Sequence, residues 1–521
     1  MNHQRLIRIS LILVLVVLPG SVFAQKKSES ASERSYKRAR QVLEAGIEAL
    51  GGLENLRAIQ DFTLKETGKN FLVDQSPNPQ PPFLSTPLEE TTIIDLKGGR
   101  VFNELKNSFP GGDNWNRTII KGSEGFNVDL RSKTMTPIAN PSVNNFRNQI
   151  RRLPNLFLLE VLDAVATVRW IGEDEFQGRR QNVISYVRAD GRQLALSFDA
   201  QTHLLTKYDY IYTDSMVGDS LVEQVYTDYK EVGKFKVPGR RILNNANSAA
   251  QETTYTEVKF NVQPAESLFE TPTGFERVTP APAAQAQQAA SALDKLSDTV
   301  YLIQNVNGAN YNVMFVAFKD HVMVFDAPEP FPYSSATESV IRKIKETLPG
   351  KPVKFAVLTH HHSDHAGGAR GYIAEGIPIV TTPGNKGVIE RLAGAPFTVI
   401  QDALARKPSK PVFEMVTDKK RVFDAEGQRV ELYDIGPAPH ANEMLIAYLP
   451  KEKLLFQADL VLVNQDGTVP AASDSTVQLA EKIQQLGLSV EKIVGAHGRP
   501  LTMDEMRAAL EKRKRASATD R

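Results

Sequence analysis

Four histidines fall within the run Thr359-His360-His361-His362-Ser363-Asp364-His365, directly after the apolar segment Phe355 to Leu358 and before Gly367-Gly368. Imidazole is the commonest neutral zinc ligand, and carboxylate is its usual charged partner. On extended backbone, residues two apart point the same way, so His360 and His362 can grip one cation. Asp364 and His365 then turn away and can grip a second. Without a metal, imidazoles so crowded would repel one another on protonation. The chain has no cysteine. This excludes disulfides, thiolate zinc sites, a Cys nucleophile and a lipidated N-terminal Cys, and leaves metal binding to His, Asp and Glu.

At 521 residues the chain exceeds one ordinary core. At about 150 residues per domain, two large or three smaller domains are expected. Hydrophobic residues make up 41% and charged residues 24%, which reads as globular and soluble. Net charge is +1, from 62 basic and 61 acidic residues, so neither a nucleic acid nor an anionic membrane surface is an expected partner. Arg5 and Arg8 precede an apolar run from Ile9 to Leu18, Pro19-Gly20 breaks it, and Val22-Phe23-Ala24 follows. This predicts a signal peptide at 1–24, cleaved after Ala24 and too short to span a bilayer. No later stretch is long and apolar enough to be transmembrane. The expectation is an exported bacterial protein, periplasmic or secreted.

Between residues 25 and 271 a helix from Ser35 to Leu50, stopped by Gly51-Gly52, precedes a long series of strand signals. Leu194, Leu196 and Phe198 alternate with polar residues, as do Tyr208, Tyr210 and Tyr212. Pro79 to Pro82 and Gly111-Gly112-Asp113 read as loops. A helix from Val143 to Leu162, kinked at Pro154, interrupts the series. Residues 272–295 contain an Ala/Gln/Pro run and read as a linker. From 296 to 514, apolar strands alternate with amphipathic helices, one of which carries Val340, Ile341, Ile344 and Leu348, and a tail occupies 515–521. His203 and His321 read as ordinary structural or surface residues, and Ser473 and Ser475 as loop or cap residues.

The histidine run resembles the signature of the metallo-β-lactamase fold superfamily. The rest of that pattern follows in order: Gly436-Pro437-Ala438-Pro439-His440, Leu455-Phe456-Gln457-Ala458-Asp459 and Val494-Gly495-Ala496-His497-Gly498, with Val324-Phe325-Asp326-Ala327 upstream. The resemblance implies an αββα sandwich in the C-terminal half and two Zn2+ ions per chain. The first ion would take His360, His362 and His440. The second would take Asp364, His365 and His497, and Asp459 would bridge both. His361 and Ser363 occupy variable positions. Two such cations generate hydroxide from a shared water near neutral pH, and Asp364 can orient that water or accept its proton. The implied activity is hydrolysis of an ester, lactone, amide or phosphoester in a small-molecule substrate.

True β-lactamases of the family usually carry Cys or Ser where this chain has Asp459, so the resemblance is closer to glyoxalase-II-like, lactonase-like and phosphodiesterase-like branches. Ala441-Asn442-Glu443 departs from the commoner Thr-Pro-Gly. Persulfide dioxygenases, with one iron in the first site, are an alternative reading, and a non-catalytic binding protein is another. Phe331 and Tyr333 are candidate pocket residues. The N-terminal half resembles the curved antiparallel half-barrel of periplasmic lipoprotein carriers. Between Ser28 and Pro272 it has one histidine, His203, so it is expected to add selectivity, as for a hydrophobic substrate, or docking, and no chemistry; a support or dimerisation domain is the alternative. The fold class expected overall is thus α+β, a β half-barrel with helices followed by an αββα sandwich.

Overall fold

Ser30 opens the first helix. Its hydroxyl accepts from the Glu33 amide while the Glu33 carboxylate accepts from the Ser30 amide, so two amides at the helix start are satisfied reciprocally. In this computed structural model, which describes residues 29–109, 112–278, 292–306, 311–329, 336–463 and 467–519, that helix spans Ala31–Ala49. The expected signal peptide, Phe331, Tyr333 and most of the Ala/Gln/Pro run lie outside the described residues. The helix buries Ala39, Val42, Leu43 and Ile47 and stops at Gly51. Gly51 has φ +130, and a Cβ there would meet the Lys234 carbonyl oxygen at 2.7 Å.

Fourteen strands of the N-terminal half form one continuous sheet. Two antiparallel meanders are joined where Asp61–Phe71 pairs with Ser248–Phe260. The sheet is open, ending on Glu276–Arg277 at one edge and Arg169–Phe176 at the other. Where a helix kinked at Pro154 was expected, the chain makes short turns at Val143–Phe146 and Arg147–Ile150 and then starts a new helix, Pro154–Asp163. Proline lacks an amide hydrogen, which costs nothing at a first helical position. This helix and the first pack on one face of the sheet. Phe157 lies 5.0 Å from Tyr208, ring to ring, and Phe62, Ile94, Val101, Ile120 and Leu196 complete the core. Tyr208 thus packs on the helix and is not part of an open concave surface. Each fully buried large side chain contributes about 1.5–3 kcal/mol. Glu66 is 1% exposed and is held by Arg152 at 2.7 Å, Arg241 at 3.1 Å and the Thr253 hydroxyl at 2.8 Å.

Both ends of the expected linker carry strand. Glu276–Arg277 pairs in parallel with Thr134–Pro137, and Leu293–Lys295 pairs with Val300–Ile303. The second half stacks a seven-stranded sheet on a six-stranded one. Strand alternation explains the layers. Met314, Val316, Met323 and Phe325 face Leu432, Leu445, Ala447 and Phe456 between the sheets. Val313, Phe315, Val322 and Val324 face outward onto the helices Ala336–Thr347 and Pro383–Gly394. Tyr433, Ile446 and Leu455 face the helices Asp474–Gln485 and Met503–Thr519 on the other side. Two sheets covered by helices on both outer faces are the expected αββα sandwich. The last helix continues to Thr519, into the stretch expected as a tail.

The halves are tied together by polar contacts. The Asp219 carboxylate accepts from the amides of Thr398 and Val399 and from the Thr398 hydroxyl. The Ser363 amide donates to the Asp74 carbonyl.

Candidate metal centre

Strand ends of both sheets supply the site. Asp326 follows Val322–Phe325, the histidine run follows Val353–Val357, Asp459 follows Leu454–Gln457 and His497 follows Lys492–Gly495. His440 lies between Gln428–Asp434 and Leu445–Leu449. Residues 80 and more apart in sequence therefore converge at one edge of the sandwich.

All seven residues expected from the sequence meet there, in two groups. His360, His362, His440 and Asp459 offer ligand atoms within 4.8 Å of one another, and so do Asp364, His365, Asp459 and His497. Asp459 belongs to both. His440 Nε2 is 3.2 Å from His360 Nε2 and 3.2 Å from Asp459 Oδ2. His365 Nε2 lies 2.9 Å from Asp459 Oδ2 and 3.1 Å from Asp364 Oδ2, and His497 Nε2 lies 3.0 Å from Asp364 Oδ2. Four of the five histidines are buried, and His497 is partly so.

Burial, and then the neighbouring imidazoles, push His360 and His362 well below the usual histidine range, so both are neutral, the form that ligates. Burial also works against charge on His365 and Asp459. The Asp364 and Asp459 carboxylates nonetheless hold His365 well above its ordinary value, and His365 holds Asp459 well below the carboxylate range. Two buried atoms in the first group, His362 Nδ1 and Asp459 Oδ1, make no hydrogen bond among the described residues. Asp459 Oδ1 faces His497 Nε2 of the second group at 3.5 Å. Buried polar atoms without a hydrogen bond are rare in folded proteins, and cations held by the two groups would satisfy both.

Several supporting residues stand behind the ligand groups. Asp326 is fully buried at φ +63, an uncommon conformation for a residue other than glycine. Its carboxylate accepts from the Thr359 amide at 2.8 Å, the Thr359 hydroxyl at 3.1 Å and His365 Nδ1 at 3.0 Å. A carboxylate only accepts, so Nδ1 of His365 donates to Asp326, and Nε2, which faces Asp364 and Asp459, is the nitrogen that would exchange its proton for a cation. The Tyr311 hydroxyl also lies 3.0 Å from that Nδ1.

Sequence reasoning missed the residues that come from the N-terminal half. Gln75 donates to Asp364 Oδ1 at 2.9 Å, and the Ser76 carbonyl accepts from His361 Nε2 at 2.9 Å and His362 Nε2 at 3.1 Å. This half thus reaches two of the candidate ligands, Asp364 and His362, by hydrogen bonds. The one available signal was the length of the Pro-rich connection at 72–84, since long connections in compact domains are usually functional. Asn442, part of the unexplained Ala-Asn-Glu departure, donates its amide to the Pro77 carbonyl of the same connection at 3.0 Å. Glu443 accepts from the Gly384 amide at 2.7 Å. His361 is buried against this connection. His321 sits away from the site, stacked on Phe318, and Ser473 caps the helix Asp474–Gln485.

Residues 306–497 match the family described as the metallo-beta-lactamase superfamily. A metallo-beta-lactamase type 2 of Elizabethkingia meningoseptica is 22% identical over 217 residues, which cover 39% of this chain and 78% of that protein. Among solved structures, a metallo-beta-lactamase from Pontibacter korlensis is 22% identical, with a TM-score of 0.32, over 43% of this chain and 99% of its own. The metallo-beta-lactamase FIM-1 from Pseudomonas aeruginosa, solved in a mono-zinc form, is 18% identical, with a TM-score of 0.31, over 44% of this chain and 96% of its own. The family match and the His/Asp constellation coincide, and residues 306–497 of this chain form a metallo-beta-lactamase superfamily domain.

Proposed function

We propose that the C-terminal domain is a binuclear zinc-dependent hydrolase. Its metal-dependent hydrolase class follows from the superfamily domain. The observation that carries the binuclear reading is the pair of ligand groups sharing Asp459. His360, His362 and His440 would hold one ion, Asp364, His365 and His497 the other, and Asp459 both. Imidazoles with carboxylates and no thiolate suit zinc, and three ligands apiece plus a shared carboxylate would leave each ion room for a water. Two divalent cations held there supply a nucleophile from water near neutral pH and polarise the bond to be cleaved.

The chain's own residues do the rest. Asp364 has Oδ1 engaged by Gln75 and Oδ2 toward His365 and His497, which fixes the carboxylate where it would hold the second ion and orient the attacking water. Asp459 places one negative charge between the two groups. An ester, lactone, amide or phosphoester in a small molecule is the proposed substrate. No helix among the described residues is long and apolar enough to cross a membrane, which fits the proposed export to a periplasm.

Elemental analysis of the purified chain tests the metal reading, with two zinc per chain expected. One tightly held iron and no zinc would favour the dioxygenase instead. A hydrolysis screen of the zinc-loaded chain against lactones, aryl esters, β-lactams, thioesters and phosphodiesters tests the reaction class. Turnover of none of them would leave a binding protein.

A further inference from the structure

Residues 72–84 connect the paired strands Asp61–Phe71 and Ser85–Asp95 of the N-terminal sheet. Phe71 pairs directly with Ser85, so a two-residue turn would close this hairpin. The chain instead leaves the sheet as a strap and runs against the histidine run and Asn442.

We propose that this strap completes the metal centre, with Gln75 as a positioning residue for Asp364 and the Ser76 carbonyl setting the tautomer of His362. The proposal rests on the reading of the histidines as metal ligands. It makes the N-terminal domain part of the active unit.

The argument from His362 is one of hydrogen-bond chemistry. A carbonyl oxygen only accepts, so the ring nitrogen 3.1 Å from Ser76 O carries the hydrogen. A neutral imidazole protonated at Nε2 has its free lone pair on Nδ1. That atom is buried and makes no hydrogen bond among the described residues. It is the nitrogen left to offer to the group formed with His360, His440 and Asp459. Ligating histidines need their other ring nitrogen fixed in this way, and the fixing group comes here from the other domain.

Gln75 does the corresponding work on the second group. A carboxylate cannot donate, so the Gln75 amide nitrogen is the atom facing Asp364 Oδ1. This fixes the carboxylate's rotation with Oδ2 toward His365 and His497. One strap thereby touches a member of each ligand group.

The strap is itself held in place. Ser76 is 1% exposed, and its hydroxyl accepts from the Leu84 amide at 2.9 Å. The Asp74 carbonyl accepts from Ser363, and the Pro77 carbonyl accepts from Asn442. The Asn442 side-chain amide also donates to Asn78. The ligand-bearing segments around 359–366 and 436–443 are thus stitched to one element. Beside it opens a cleft of about 550 Å³, walled by Val73, Pro79 and Phe83 of the strap and by His361 and Val388.

The test uses the full chain and two kinds of variant. In one, residues 72–84 are replaced by Asn-Gly; the others are Gln75→Ala and Gln75→Glu. Zinc affinity is read by chelator competition, and ligand geometry by the visible spectrum of the cobalt(II)-loaded protein. Loss of an outer partner typically weakens metal binding about 10- to 100-fold, and that loss with an altered cobalt spectrum is expected of the strap replacement. A folded replacement variant with the parent's affinity and spectrum overturns the proposal. Should the replacement not fold, the point variants decide. Gln75→Glu sets a second carboxylate against Asp364 and should weaken zinc more than Gln75→Ala, which should lower kcat more than it raises KM and shift the pH profile. Parent-like behaviour of both overturns the proposal while the zinc hydrolase reading stands. A parent chain that binds neither zinc nor cobalt overturns that reading and the proposal with it.

Discussion

The Gln75 amide meets the Asp364 carboxylate at 2.9 Å across a sequence separation of 289 residues. One partner belongs to a β-sheet domain and the other to the histidine run of a metallo-beta-lactamase superfamily domain. The contact ties the rotation of a candidate ligand to the docking of two domains.

A chain beginning at Ala292 should therefore differ from the full chain at the metal. The sequence alone predicts that such a fragment hydrolyses small esters or lactones as well as the parent. With Gln75 and Ser76 removed, it should instead bind zinc about 10- to 100-fold more weakly and turn over correspondingly less substrate at limiting zinc. Titration with a zinc chelator, alongside circular dichroism to verify folding, measures this. Equal retention of zinc by fragment and parent would count against it.

Asp459→Ala should abolish most activity and leave the fold intact, because it removes the one carboxylate common to both ligand groups. The loss should exceed the about 10- to 100-fold typical of an outer partner. Zinc content and hydrolysis rate are the measurements, and a parent-like rate would show that Asp459 is not the bridge.

Asp326→Asn should lower metal affinity without unfolding the chain. Asparagine tolerates φ +63, so the backbone is preserved. An amide has a single acceptor oxygen, whereas the carboxylate accepts from two groups of Thr359 and from His365. His365 Nδ1–H loses its charged partner, and zinc should be lost first from the group containing His365. Unchanged retention of both ions against a chelator would refute the role.

Glu66 governs the acid stability of the N-terminal domain. Burial alone would raise its pKa, but Arg152 and Arg241 bring it down from 4.5 to about 2. A depressed folded-state value means that the stabilisation is present above about pH 4.5 and is lost as pH falls toward about 2. Glu66→Gln leaves the buried Arg241 guanidinium facing a neutral amide, while Arg152 keeps Glu90 at 2.5 Å, and breaking such a buried pair costs about 3–5 kcal/mol. At pH 7 the variant should melt well below the parent, and the gap should narrow as pH drops through that window. A gap constant from pH 7 to pH 3 would mean that the carboxylate charge contributes nothing.

Much of the centre was legible in the linear chain because its signals are local. His360 and His362 are two residues apart on extended backbone, Asp364 and His365 follow directly, and Asp459 and His497 each sit just after an apolar strand. Strand alternation likewise encodes the αββα layers, since Met314 and Val316 must face one way and Val313 and Phe315 the other. The break at Pro154 reads as a kink in the sequence and is a helix start in the structure, because propensity names a proline without saying whether it bends a helix or begins one. What the tertiary structure alone decided is the meeting of domains. Ser76 contributes a main-chain carbonyl, which every residue type possesses, so no side-chain pattern could mark it. Gln75 is an ordinary polar residue in a loop until the sheet carries it to Asp364. The sequence by itself determined which donors the chain owns and how each local run presents them. Packing of the N-terminal sheet against the sandwich decided which oxygen of Asp364 is occupied and which nitrogen of His362 is free, because hydrogen-bond partners so far apart in sequence are set by three-dimensional closure and leave no periodicity in the chain.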